Sequence, residues 1–177
     1  MGINEEKEKE AKSSFNKDAY KHAIGMVESR GGKDLDNTTS SASGKYHFLY
    51  NSIKHDPSME GVSKREFMNR PELQEEIMDK ALAGELEGWT YGAGYADNLK
   101  SKYETNHDVN ELTALTHYLG AGNVKKYLSD PEGFVVEGQN LTPQKYIENF
   151  RTHFDQYKPE PIPEPEPAPV VLPKGDN

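Results

Sequence analysis

The sequence predicts a mainly helical fold, on two observations. Apolar side chains recur at i, i+4 spacing in several segments, and most of these segments are bounded by residues that start or stop helices. Alternating apolar and polar runs of the kind a half-buried strand needs are few, and no segment repeats. The first helix carries Phe15, Ala19, Tyr20, Ala23, Ile24 and Val27 on one face, with Ser13 or Ser14 as its expected N-cap and Gly31 and Gly32 as its end. Lys33 to Lys45, rich in Ser, Thr and Asn, reads as a loop or a short irregular hairpin, and Tyr46 to Ile53 as a short, largely buried helix.

Further along, Ser63-Lys64-Arg65-Glu66 has the spacing of a capping box. Asn69 to Glu72 breaks that helix and starts another at Pro71, whose core face is Leu73, Ile77, Ala81 and Leu82. Gly84, Gly88, Gly92 and Gly94 surround Trp89, Tyr91 and Tyr95, which predicts a mobile aromatic loop or a frayed helix. Two more helices are expected over Asp97 to Asn106 and Asn110 to Leu119, the second ending at Gly120 and Gly122. Thr142-Pro143 caps a last helix with Tyr146, Ile147, Phe150, Phe154 and Tyr157 inward.

The organisation is one helical domain over 13–157, between a charged N-terminal arm (1–12) and a Pro/Glu-rich extended tail (158–177). Pro159 to Pro169 reads as a polyproline II spacer rising about 3.1 Å per residue, and it leads to the apolar patch Val170-Val171-Leu172. Residues 1–12 are mostly Glu and Lys and lack the apolar stretch of a secretory signal, so none is expected. No apolar run reaches the ~18 residues of a membrane span. A net charge of −9 without a basic stripe argues against a nucleic-acid partner. The absence of cysteine excludes disulfides, thiol nucleophiles and thiolate metal sites.

Three segments carry chemistry. Ile24 to Gly32 is an apolar helix that ends on Glu28-Ser29 and breaks at glycines. It presents one carboxyl group to the Ser/Gly-rich loop that follows, as the general acid of glycosidic-bond cleavage requires. Gly44-Lys45-Tyr46-His47 comes next, and Thr116-His117-Tyr118 runs into Gly120 and Gly122. In this order and spacing they resemble the soluble lytic transglycosylase family of the lysozyme superfamily, most of all its virion-associated phage branch. The likeness spans roughly residues 14–130. In two places the chain departs from that family: His47 stands where a substrate-binding Gln is usual, and His117 where Tyr is usual, as in the phage variants.

The resemblance implies a lysozyme-like domain that cleaves the glycan strands of peptidoglycan between N-acetylmuramic acid and N-acetylglucosamine. Glu28 would protonate the leaving oxygen and then, as a carboxylate, assist attack by the sugar's own C6 hydroxyl to give a 1,6-anhydro end. Ser29, His47, His117 and Tyr118 would bind substrate, and no cofactor is implied. The phage branch implies a virion protein acting at the bacterial cell wall, with the 158–177 tail as a tether to other virion proteins. The alternative from another class is a structural or adaptor virion protein that keeps the scaffold with weak or no activity. Asp34 or Asp36 as a second carboxylate would instead make a hydrolase. His47 and His117 have no third His or Cys at ligand spacing, so no metal is expected. Trp89, Tyr91 and Tyr95 either pack the Gly-rich loop or stack on sugar faces.

Overall fold

A computed structural model describes residues 14–36, 41–138, 140–161 and 163. Among them are eight α-helices: α1 (Lys17–Ser29), α2 (Tyr50–Ile53), α3 (Lys64–Met68), α4 (Pro71–Leu82), α5 (Ala93–Lys102), α6 (Val109–Leu119), α7 (Ala121–Ser129) and α8 (Pro143–Gln156). A two-stranded antiparallel sheet, β1 (Ala42–Ser43) and β2 (Phe48–Leu49), lies between α1 and α2. The protein is mainly helical. No helix among the described residues is long and apolar enough to cross a membrane. The charged arm, Ser13, and the tail from Glu164 onward, including Val170 to Leu172, lie outside the described residues.

The centre of the domain is α6. Every residue from Val109 to Thr116 is buried, so this helix has no solvent face, and α5, α7 and α8 all pack against it. Its polar side chains are satisfied internally: Thr113 Oγ1 donates to Val109 O at 2.7 Å and Thr116 Oγ1 to Leu112 O at 2.8 Å. Asn110 reaches outward instead, accepting from Asn16 N at 2.9 Å and donating to Ser14 O at 3.2 Å. These bonds hold 14–16 outside the helix. The start of α1 therefore moves from the expected serines to Asn16, whose side chain caps Ala19 N, and the Phe15 ring, 5.3 Å from Tyr20, staples the turn.

Other local expectations meet the structure at the residues that signalled them. The Ser63–Glu66 capping box is complete, Pro71 opens α4, and Thr142 caps α8 with Tyr146, Ile147 and Phe150 buried; Phe154 and Tyr157 are only partly covered. Tyr46 to Ile53 is not one helix. Phe48-Leu49 pairs with Ala42-Ser43 (Ala42 opposite Leu49), and only Tyr50–Ile53 is helical. Gln74 rivets this hairpin to the helices: its Oε1 accepts from Lys45 N at 2.7 Å while its Nε2 donates to Phe67 O at 2.8 Å.

The glycine-rich stretch folds around a buried Tyr91, and α5 begins at Ala93 rather than Asp97. Gly92 is required there. Its φ is +105°, and a Cβ would lie 2.4 Å from Leu82 O. Gly120 ends α6 as expected, but Gly122 does not; it sits in α7, a helix the sequence reading missed because it follows Gly120 with no loop between.

One ionic group crosses the core boundary. Glu111 of α6 takes Arg151 Nη2 of α8 at 2.6 Å and His107 Nδ1 at 3.0 Å. Burial by itself pushes the Glu111 carboxyl up, but the hydrogen bonds from His107 and Arg151 outweigh it and hold it below its ordinary 4.5. Its stabilisation is therefore complete above about pH 4.5 and is lost as pH falls through the lowered folded value. Glu111→Gln is expected to reduce stability by about 1–3 kcal/mol at neutral pH. The gap from the unaltered protein should close as the medium is acidified, as measured by urea unfolding at several pH values.

Candidate active site

Glu28 lies in the last turn of α1, where the helix meets the hairpin. The junction is tied by Ser29, only 1% exposed. Its hydroxyl sits 2.5 Å from Lys45 O and 3.1 Å from Gly25 O and accepts from Gly32 N at 2.8 Å. Arg30 then turns left-handed at φ +52° and the chain leaves the helix. Ser29 is thus absent from the cleft wall and clamps the helix end that presents Glu28. Its neighbour faces the other way.

The Glu28 side chain is 18% exposed. Its Oε1 accepts from the Tyr146 hydroxyl at 2.6 Å, and Tyr146 is fully buried in the first turn of α8. Burial, and then the adjacent Glu28, raise Tyr146 well above the ordinary phenol range, so it remains a hydrogen-bond donor at any physiological pH. His47 Nδ1 stands 3.7 Å from Oε2 and His117 Nε2 4.0 Å from Oε1. Two imidazoles from distant parts of the sequence therefore flank one carboxyl group. His47 is held by its other nitrogen on Asp34 O at 2.7 Å and has a left-handed backbone, φ +49°. His117 contacts Tyr46 O at 2.9 Å through Nε2 and the Tyr91 hydroxyl at 3.2 Å through Nδ1.

Around these groups runs a cleft of about 480 Å³ walled by Glu28, His47, Leu49, Tyr118, Leu141 and Tyr146. A second hollow of about 440 Å³ shares His47, Leu49, His117 and Tyr118 with it and continues to Trp89 and Tyr91. Among the described residues, Glu28 is the one carboxylate in either lining, and neither lining holds a Lys or Arg. Asp34 is paired with Arg30 (Oδ1 to Nη2, 2.7 Å) and Asp36 with Lys64 (2.9 Å), and neither carboxylate lines the cleft. Tyr95 turns away to donate to Ala121 O at 3.0 Å. Among the described residues no group of three His, Asp or Glu side chains is placed to hold a metal ion.

Tyr118 both walls the cleft and fastens its rim. Its ring stacks on Tyr146 at 4.1 Å and 7°. Its hydroxyl donates to Leu141 O at 2.6 Å and accepts from Leu141 N at 3.3 Å, which pins the segment entering α8. The structure thus brings Glu28, His47, His117 and Tyr118 to one cleft and sets Ser29 behind it. Sequence reading placed Tyr146 in the core and did not connect it with Glu28. The sole signal available was a tyrosine on a buried helix face, whose hydroxyl needs a partner. No protein-family model, curated protein or solved structure matches this chain.

Tyr118→Phe removes both bonds to Leu141 while keeping the stacked ring. Hydrogen exchange at the Leu141 amide is expected to accelerate by about tenfold, the equivalent of one hydrogen bond. Exchange in α6 should stay unchanged.

Proposed function

We propose that this chain is a lytic transglycosylase on a lysozyme-like scaffold, cleaving peptidoglycan between N-acetylmuramic acid and N-acetylglucosamine. The observation that carries the reading is that Glu28 is the single carboxyl group among the described residues of the cleft, oriented by a tyrosine hydroxyl that cannot ionise near neutral pH. A retaining or inverting hydrolase uses two carboxyl groups across the scissile bond. Among the described residues only Glu28 brings a carboxyl group to the lining, which suits the route the resemblance implies, acid catalysis followed by internal capture. The resemblance of the Glu28-Ser29, Gly44 to His47 and Thr116 to Tyr118 segments to the virion-associated branch supports a phage particle as the carrier and the bacterial cell wall as the place of action.

In this mechanism Tyr146 holds Oε1, and the proton on the Glu28 carboxyl passes to the glycosidic oxygen as its bond to C1 breaks. The resulting carboxylate accepts the proton of the C6 hydroxyl as that oxygen bonds to C1 of the same sugar. One proton leaves Glu28, one returns, and no water is consumed. Tyr118 and His47, which line the same cleft as the carboxyl group, would orient the sugar. Trp89, which lines the adjoining hollow, would stack on the next residue of the strand.

Digestion of purified peptidoglycan, with mass spectrometry of the released fragments, tests this. The protein is expected to release 1,6-anhydro-ended muropeptides, and Glu28→Gln to slow release by at least about 10²–10⁴-fold, the range of a general acid. Tyr146→Phe should retain the fold and lose about tenfold, one orienting hydrogen bond. Fragments with reducing ends would make the enzyme a hydrolase. No release by the folded protein would favour the adaptor reading.

A further inference from the structure

Behind His117 lies a buried polar chain that the reaction does not call on directly. The Tyr20 hydroxyl meets the Tyr91 hydroxyl, Tyr91 meets His117 Nδ1 at 3.2 Å, and His117 Nε2 meets Tyr46 O at 2.9 Å. We propose that the Tyr20–Tyr91 hydroxyl pair locks His117 in one neutral tautomer, its Nε2–H given to the Tyr46 carbonyl, so that an uncharged ring stands beside the Glu28 carboxyl group. This inference rests on the reading of Glu28 as acid and base.

The direction of the chain follows from its end. A backbone carbonyl only accepts, so Nε2 carries the hydrogen and Nδ1 of the neutral ring is an acceptor. Tyr91 must then donate to Nδ1 and accept from Tyr20. Protonating Nδ1 would turn the Tyr91 O–H away from the ring and force the Tyr20–Tyr91 bond behind it to rearrange. Tyr20 is fully buried, and disturbing a hydrogen-bonded pair there is costly. The titratable groups facing His117 are Glu28 from α1, His47 from the hairpin turn and Tyr91. Burial pushes the imidazole down and prevails over Glu28 and the Tyr46 carbonyl, which push it up; His47 adds to the lowering.

The consequence falls on Glu28. A cation 4.0 Å from Oε1 would favour the carboxylate and draw the proton off the acid before it is used. A neutral ring, its Nε2–H given to the Tyr46 carbonyl, places no such cation beside Oε1. His117 is in this sense a positioning residue, acting through Glu28.

The test compares the full chain with Tyr20→Phe and Tyr91→Phe, each lacking one hydroxyl, by ¹⁵N imidazole NMR and by the pH profile of muropeptide release. The unaltered protein is expected to show the Nε2–H tautomer, with His117 titrating below the ordinary ~6.5. Tyr91→Phe removes the bond to the neutral ring, so the midpoint should rise by about one pH unit. The acid limb of activity should rise with it, with about a tenfold loss near its foot. His117→Gln, which offers an uncharged N–H near the Nε2 position, should recover much of the activity that His117→Leu loses. An Nδ1–H tautomer in the unaltered protein, or a midpoint unmoved in both tyrosine variants, would overturn the lock. A moved midpoint with an unmoved acid limb would overturn the positioning role. Absence of cleavage by the unaltered protein would instead overturn the reading of Glu28, while the NMR result still decides the tautomer.

Discussion

The hydrogen bond from Tyr146 to Glu28 joins residues 118 positions apart, and it forms only when α8 is seated against both α1 and α6. A buried phenol needs a partner, and a partly buried carboxyl group needs a donor; each meets the other's requirement. Tyr118 stacks on the same ring and pins Leu141 at the cleft rim, so the wall, the floor and the carboxyl group share one anchor. Loosening α8 would therefore disturb the site before it disturbed the rest of the core.

That seating depends in turn on α6. Its buried polar residues each hold something: Asn110 fixes the entry to α1, Glu111 draws Arg151 of α8 inward, and Thr113 and Thr116 are paired within the helix. Its C-terminal end delivers His117 and Tyr118, on neighbouring faces, to opposite duties. His117 turns to the tyrosine chain and Tyr118 to the rim. Gly120, at φ +81°, ends the helix directly behind them and lets α7 start without a loop.

The helical class and several boundaries were legible because their causes are local. The Ser63–Glu66 box, Pro71 and Thr142 act within one turn of chain, and the structure keeps them. Boundaries governed by distant partners were not legible. Asn16 replaced the serines as a cap because Asn110 holds residues 14–16 outside the helix. Phe48-Leu49 became a strand because its mate is Ala42-Ser43, a pairing that helical spacing in 46–53 does not disclose. Gly122 looked like a stop and is a helical residue, since Gly120 had already broken the chain.

The same division holds for the site. The sequence by itself determined a mainly helical chain, a Glu at a helix end beside a Ser/Gly-rich loop, and two histidines and a tyrosine in segments that follow in order. Those are matters of spacing and of residue type, and neighbouring residues decide them. The tertiary structure alone decided that Ser29 faces inward, that Asp34 and Asp36 are paired away from the cleft, and that His47 and His117 converge on one carboxyl group. It also supplied Tyr146. The physical reason is that a side chain's ionic and hydrogen-bond partners are chosen by packing, which brings together residues whose separation along the chain carries no information about their distance in space.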